Sequence, residues 1–184
     1  SADGVVPMIP PQLQHRIVNE LYATDTTHAY AVLDGASIRD LLPMLDEHRP
    51  ESACLYWGEL EEDLEYAAPY LVRLERDTPF MTWLLNEGWG KHWGIFALSS
   101  ADLKTVRRHF RTFLMVRDPN GKKLYFRYYD PRVLRVYLPT CNIEEMSMVF
   151  GPVQAFVLEG NQLDQVIRFR PGQDGPRKEI VATP

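Results

Sequence analysis

The chain has 184 residues, of which 45% are apolar and 24% are charged, a composition typical of one soluble globular domain. Its 20 basic and 25 acidic residues give a net charge of −5 without a basic tail, which argues against nucleic acid as a partner. No run reaches the roughly 18–20 apolar residues of a membrane span and the N-terminus lacks a signal pattern, while Cys54 and Cys141 predict free thiols in a reducing, cytoplasmic compartment.

Apolar spacing predicts the elements of the first half of the chain. Residues 1–10 are expected to be disordered or left over from cloning, and a helix follows over residues 11–22. The first buried strand ends in an Asp34-Gly35 turn, after which Ser37 is expected to cap a helix. The predicted core strands are short apolar runs bounded by turns, at residues 30–33, 53–56, 70–72 and 94–98.

Caps and turns organise the second half of the chain. Residues suited to capping precede the predicted helices: Thr78, Ser99 or Ser100, Asp130 and Asn142. Asn-Gly between two apolar runs predicts a β-hairpin around residues 118–121. The last strand is expected over residues 153–158, and residues 171–184 are expected to form a loose tail.

These elements predict a single domain over residues 11–170. Strands and helices alternate in the first half and a hairpin follows, with no internal repeat and no linker. The expected fold is α/β (or α+β), with helices packed on a mixed β-sheet.

No catalytic, cofactor or metal site is predicted. The glycine spacing in residues 88–94 fits neither a Walker loop nor a dinucleotide motif, and the histidines never pair at metal-ligand spacing. Ser99 and Ser100 are the best candidate nucleophiles, yet no GxSxG elbow surrounds them and a helix cap explains them. Asp34 and Asp130 end strands as catalytic acids often do, but a turn and a cap explain them too. We therefore expect a protein that is not an enzyme and binds no cofactor.

Many residues to which no catalytic, cofactor or metal-binding role is assigned form an ordered series of short sequence blocks. These blocks are residues 30–36, 55–58, 68–72, 93–99, 109–111, 126–134 and 150–152. In order and spacing, from residue 28 to residue 158, the series resembles the family called domain of unknown function 4123. Its most specific part is Phe-Arg-x-Tyr-Asp-Pro-Arg with a downstream Phe-Gly-Pro. The family pattern usually has glycine where this chain has Ala68.

This resemblance implies a bacterial, cytoplasmic adaptor or chaperone of type VI secretion. Such a protein binds a cognate toxic effector protein and loads it onto a spike protein of the valine-glycine-repeat type, VgrG. An adaptor needs an apolar patch ringed by polar groups rather than an activated nucleophile. Two alternatives stay open: a hydrolase-like enzyme that uses Ser99 with a distant histidine and aspartate, and a structural scaffold subunit without effector cargo.

Two groups of residues are predicted to serve this function. The partner-binding patch joins the 88–94 turn to the next helix, because both flank one predicted strand; it contains Trp89, Trp93, Arg107, Arg108 and Arg111. In the second group, an aspartate cap and an arginine–carboxylate pair fix a strand-to-helix corner; it contains Asp34, Arg127, Asp130, Pro131 and Arg132.

Overall fold

The computed structural model describes residues 9–181, so the prediction for residues 1–10 lies almost wholly outside the described residues. The α-helices in that range are α1 (Pro11–Leu21), α2 (Leu41–His48), α3 (Glu62–Ala67), α4 (Pro79–Gly88), α5 (Leu103–Arg111), α6 (Pro131–Tyr137) and α7 (Ile143–Phe150), with a 3-10 turn at Leu138–Thr140. The strands are β1 (His28–Asp34), β2 (Ser52–Cys54), β3 (Pro69–Leu74), β4 (Gly94–Ser99), β5 (Met115–Arg117), β6 (Lys123–Tyr125), β7 (Ala155–Glu159), β8 (Val166–Pro171) and β9 (Pro176–Ile180).

A seven-stranded sheet forms the centre of the domain, and every strand pair described in it is antiparallel. Its order is β2-β3-β1-β4-β7-β8-β9. Strand β1 lies between β3 and β4, with Ala31 opposite Val72 on one side and Phe96 on the other. The prediction of a single α/β domain with helices packed on a sheet is confirmed, but the described sheet is antiparallel rather than mixed. The four predicted core segments lie in strands of this sheet, although the second ends early, at Cys54.

Helices cover both faces of the sheet because its central strands are apolar on both sides. In β1, Ala29, Ala31 and Leu33 belong to the core beneath α1, α2 and α4. The alternate residues Tyr30 and Val32 belong to the core beneath α5, α6 and α7. The sheet therefore separates two hydrophobic cores, a first face and a second face, and this separation decides which side chains can share a surface.

Three predicted helix caps are confirmed. Each of Thr78, Asp130 and Asn142 accepts a hydrogen bond from a backbone N–H in the first turn of its helix. At Asn142 the cap is reciprocal, because the side chain of Glu145 also accepts from the Asn142 N–H, a capping box.

Two predicted serine caps are wrong. The carboxylate of Asp102, not Ser99 or Ser100, caps α5 by accepting the N–H of Thr105 at 2.9 Å. Helix α2 begins only at Leu41, and the hydroxyl of Ser37 donates instead to Asp34 at 2.7 Å. Because α5 begins at Leu103, residue 102 is the N-cap position, and the Ser99 hydroxyl bonds to the backbone of Pro152 and Ala101 instead.

Two strands extend the sheet beyond β7, the strand expected to be last. Strand β9 occupies residues 176–180, which corrects the prediction that the tail from residue 171 is loose. Arg168 of β8 pairs with Glu20 of α1 and with Glu179 of β9. Charged residues interrupt the apolar alternation of these strands, as is common at a sheet edge, so the sequence pattern concealed them.

The predicted β-hairpin is confirmed as a separate two-stranded ribbon of β5 and β6. In its turn, the carboxylate of Asp118 accepts the N–H groups of Asn120 and Lys122 at 2.9 and 2.8 Å. Gly121 has a φ of +81°, a value that favours glycine. Local turn chemistry therefore fixes where the two strands of the ribbon reverse direction.

Candidate functional site

A buried carboxylate organises the corner at the end of β1. The Asp34 side chain is 2% exposed and accepts hydrogen bonds from the Ala36 N–H (3.1 Å), the Ser37 hydroxyl (2.7 Å) and Nη2 of Arg127 (2.5 Å). The arginine comes from a segment 93 residues further along the chain. Because a buried charge is costly without a partner, this contact ties the two segments together.

Arg127 belongs to the Phe-Arg-x-Tyr-Asp-Pro-Arg block, whose other members complete the corner. Its guanidinium lies 5.9 Å from the ring centroid of Tyr129. Asp130 caps α6 and also accepts Nε and Nη2 of Arg132 at 3.1 and 2.8 Å. Burial opposes ionisation of Asp130, but the bonds from Arg132 lower its pKa overall. Pro131 is buried at the first position of α6. Each arginine of the corner thus forms an ion pair with a carboxylate, Arg127 with Asp34 and Arg132 with Asp130.

Two further blocks of the series pack against each other on the second face. The imidazole Nε2 of His109 donates to the carbonyl of Val149 at 2.7 Å, and burial lowers the pKa of this histidine. Gly151, which ends α7, has a φ of +47°, and a Cβ there would lie 2.5 Å from the His109 ring. The next carbonyl, that of Pro152, accepts the Ser99 hydroxyl at 2.7 Å. Phe-Gly-Pro therefore has a packing role.

Glu159, at the end of β7, anchors the glycine-broken turn of residues 88–94. Its side chain is 5% exposed and accepts the N–H groups of Gly90 (2.5 Å) and His92 (2.9 Å). Nδ1 of His92 also lies 2.8 Å from Oε1 of Glu159. Burial raises the pKa of Glu159 in spite of these contacts. The backbone N–H groups of Gly90 and His92 are thus used by a carboxylate of the chain itself.

The sheet divides the predicted partner-binding patch. Trp89 is 6% exposed, and its indole N–H donates to the backbone carbonyl of Leu163. Trp89 and Trp93 both lie on the first face. Arg107, Arg108 and Arg111 lie on α5, which packs on the second face. The structure therefore does not bring the two tryptophans and the three arginines together.

Arg111 contributes instead to a different surface. Its guanidinium donates to the carbonyls of Cys54 (2.9 Å), Leu55 (3.2 Å) and Tyr56 (3.0 Å). It also lies 4.1 Å from the ring centroid of Trp57, whose side chain is 71% exposed. An arginine fixed by three carbonyls therefore holds an indole ring in solvent, and such arginine–tryptophan contacts are typical of binding hot spots.

Exposed apolar side chains concentrate around Trp57 and the β5–β6 ribbon, all six of whose residues are exposed. We call this area the hairpin surface; it consists of Trp57, Leu64, Met115, Val116, Leu124, Tyr125 and Met148. Two cavities of about 270 and 310 Å³ open between the ribbon and its neighbours. Monomeric proteins seldom expose such a cluster, and where they do it commonly marks a binding site.

The sequence predictions missed the hairpin surface, although one signal was present. Apolar residues flank the Asn-Gly turn on both strands, at consecutive rather than alternate positions, so both faces of the ribbon are apolar. A hairpin that packs one face on a core shows alternation instead. The loss of alternation in Met115-Val116 and Leu124-Tyr125 was the available indication of an unpartnered ribbon.

Comparison with known proteins places the chain in a family. A protein-family model described as "Domain of unknown function (DUF4123)" matches residues 29–148, more than half of the chain. The chain belongs to this family. Neither the search of curated proteins nor the search of solved structures gave a match. The DUF4123 match spans the Asp34–Arg127 corner and the whole hairpin surface, and it ends before Phe-Gly-Pro.

One departure from the usual DUF4123 pattern has a simple local explanation. Ala68 is extended, with a φ of −70°, a conformation that alanine adopts without strain. Its carbonyl accepts the N–H of Gly35 at 3.0 Å, and a Cβ on Gly35 would lie 2.3 Å from that oxygen. In this contact, residue 35 must therefore be glycine, whereas residue 68 can be alanine.

In this DUF4123 domain the hydroxyl of Ser99, the candidate nucleophile, forms hydrogen bonds to the backbone. Ser99 is fully buried; its hydroxyl donates to the Pro152 carbonyl and accepts the Ala101 N–H at 3.1 Å. Within residues 9–181, no group of three or more His, Cys, Asp or Glu residues could hold a metal ion. No helix in the described range is long and apolar enough to cross a membrane, and both cysteines are free.

Proposed function

We propose that this protein is a bacterial, cytoplasmic and non-enzymatic adaptor of type VI secretion. It binds a toxic effector protein and loads it onto the spike protein VgrG. Two independent points support the proposal: the sequence blocks that resemble effector adaptors, and an exposed apolar surface on a domain whose sequence blocks otherwise serve packing.

The hairpin surface is the observation that carries the proposal. Trp57, Tyr125 and Met148 expose 71%, 67% and 73% of their surface. Tryptophan and tyrosine bury much area at small entropic cost and dominate binding hot spots, and methionine adapts its shape to the partner surface. Their concentration on one side of the domain favours a binding role over catalysis, since Ser99 is held by backbone groups inside the fold.

Binding by the full chain tests the proposal. The purified products of the effector and VgrG genes that neighbour this gene are titrated against the chain by isothermal calorimetry. Tyr125→Ala and Met148→Ala should each weaken binding to at least one of them by about tenfold or more, since truncating a hot-spot side chain costs about 2 kcal/mol. Leu163→Ala is the matched control, because Leu163 is 54% exposed but lies outside the hairpin surface.

The outcomes separate the alternatives. If the chain binds neither neighbour at micromolar concentration, the adaptor proposal fails. Binding to VgrG without binding to any effector would favour the scaffold alternative. Turnover of an ester or amide substrate that Ser99→Ala abolishes would favour the hydrolase alternative.

A further inference from the structure

The β5–β6 ribbon leaves the backbone of its outer edges open. The hydrogen bonds that bracket the ribbon run from the Phe126 N–H to the Leu114 carbonyl (2.8 Å) and from the Asp118 N–H to the Lys122 carbonyl (3.0 Å). In an antiparallel pair, hydrogen-bonded residues alternate with residues whose N–H and C=O point away from the partner strand. Met115 and Arg117 are the outward residues of β5, and Lys123 and Tyr125 are those of β6. Among the described residues, neither strand pairs with a third.

The ribbon is also apolar on both faces. Cross-strand partners share a face, so Met115 and Tyr125 lie on one face, and Val116 and Leu124 lie on the other. All four side chains are exposed. A two-stranded hairpin is at best marginally stable alone, and either a further strand or a packed helix can stabilise it.

The two cavities lie on opposite faces of this ribbon. Met115 and Tyr125 line the first cavity together with Trp57 and Leu64. Val116 lines the second, which α7 closes on its far side. A helix laid against the ribbon would fill one cavity, whereas a strand added to its edge sends alternate side chains to both faces.

Charge and position define the occupant further. Arg117, Lys122 and Lys123 lie at the turn end of the ribbon, and the nearby Asp118 carboxylate is occupied by backbone N–H groups. This excess of cations favours an acidic partner segment. Strand β5 lines both cavities, through Met115 in the first and Val116 in the second, whereas β6 lines only the first, through Tyr125. The β5 edge is therefore the one from which an incoming strand reaches both cavities.

We infer that the outer edge of β5 accepts a β-strand of the partner protein, with apolar side chains alternating into the two cavities and acidic residues beside the turn. The inference rests on the proposed function and names the chemistry of its partner. The backbone N–H and C=O groups of Met115 and Arg117 pair with the incoming strand. The cavities select its alternate side chains.

Proline substitutions test the edge directly, because proline removes an N–H and is tolerated at edge positions that do not donate to the existing ladder. The neighbouring effector and VgrG proteins serve as probes. The Arg117→Pro chain should bind its partner at least about tenfold more weakly than the Arg117→Ala chain, which isolates the lost N–H from the lost charge. On the other edge, Lys123→Pro and Lys123→Ala should bind within about twofold of each other. Circular dichroism and thermal melts verify the fold of all four variants.

Hydrogen exchange on the unmodified chain provides a second measurement that does not depend on a variant folding. The amides of Met115 and Arg117 should exchange at least about tenfold more slowly in the complex than in the free chain. Equal binding by Arg117→Pro and Arg117→Ala, or unprotected amides in the complex, overturns strand addition while the adaptor function stands. A larger proline effect at Lys123 overturns the choice of the β5 edge. A dimer of the free chain that Arg117→Pro dissociates identifies a second copy as the occupant and overturns the partner-strand inference.

Discussion

Removing the arginine from the Asp34 corner should destabilise the fold by an amount that depends on the charge of Asp34. In the parent chain, Arg127→Ala leaves a carboxylate that is 2% exposed with two donors, the Ala36 N–H and the Ser37 hydroxyl. Breaking a buried ion pair by removing one partner costs about 3–5 kcal/mol. The Arg127 side chain is 49% exposed, so water can approach the vacated side and the two remaining donors compensate in part. We therefore expect a loss of about 2 kcal/mol in the free energy of unfolding.

A double-mutant cycle isolates this contribution. In an Asp34→Asn background residue 34 carries no charge, so the further change Arg127→Ala should cost less than about 1 kcal/mol. The assay is urea unfolding followed by tryptophan fluorescence, supported by thermal melts in which 2 kcal/mol corresponds to about 4–8 °C for a chain of this size. Arg132→Ala is the control, because its partner Asp130 keeps the backbone N–H of residue 132 and the Arg132 side chain is 56% exposed. A cost of Arg127→Ala that is the same with Asp34 and with Asn at that position would refute the ion-pair argument.

Three further predictions concern the caps and the Phe-Gly-Pro junction. Asp130→Ala should lower the free energy of unfolding by about 0.5–2 kcal/mol because the cap of α6 is lost. An unchanged melting temperature combined with the loss of a hydrolytic activity would identify Asp130 as catalytic instead. Burial lowers the pKa of His109, so at low pH the unfolded chain binds a proton more readily than the folded chain does. The free energy of unfolding should therefore fall as the pH drops below 6.5, the ordinary pKa of histidine. In urea titrations, His109→Gln should flatten that part of the pH profile. Gly151→Ala should destabilise the fold more than Gly121→Ala in the same unfolding assay. Both glycines have positive φ, but only a Cβ at residue 151 would meet a side chain, the His109 ring at 2.5 Å. Equal losses of stability in the two variants would contradict this crowding argument.

Much of the fold was predictable because local physics determines it. Short apolar runs became the central strands, and Thr78, Asp130 and Asn142 became caps, since each decision depends on a few neighbouring residues. The charged strands β8 and β9, at one end of the sheet, escaped prediction because ion pairs such as Arg168–Glu20, between residues far apart in sequence, hold them in place.

The binding surface was harder to predict because it depends on which face of the sheet each connection takes. Strand β4 alternates Ile95 and Ala97 toward the second face with Phe96 and Leu98 toward the first. The turn before it and the helix after it therefore flank one strand and yet lie on opposite sides. Trp57 and Trp89 both follow an element end, but only the tertiary packing buries Trp89 and exposes Trp57.

The strand order of the sheet also dictates when the domain can close during synthesis. Strand β4 ends at Ser99, but its neighbour β7 begins only at Ala155, so an internal strand must wait as an open edge while the intervening chain is made. At elongation rates of about 5–20 residues per second this interval lasts roughly 3–11 s. Over that time Phe110 of α5 has no Phe156 to pack against. The nascent chain is therefore most exposed to aggregation while the residues between β4 and β7 are being made, and a holdase that covers the β4 edge should raise its yield more than one that acts after release.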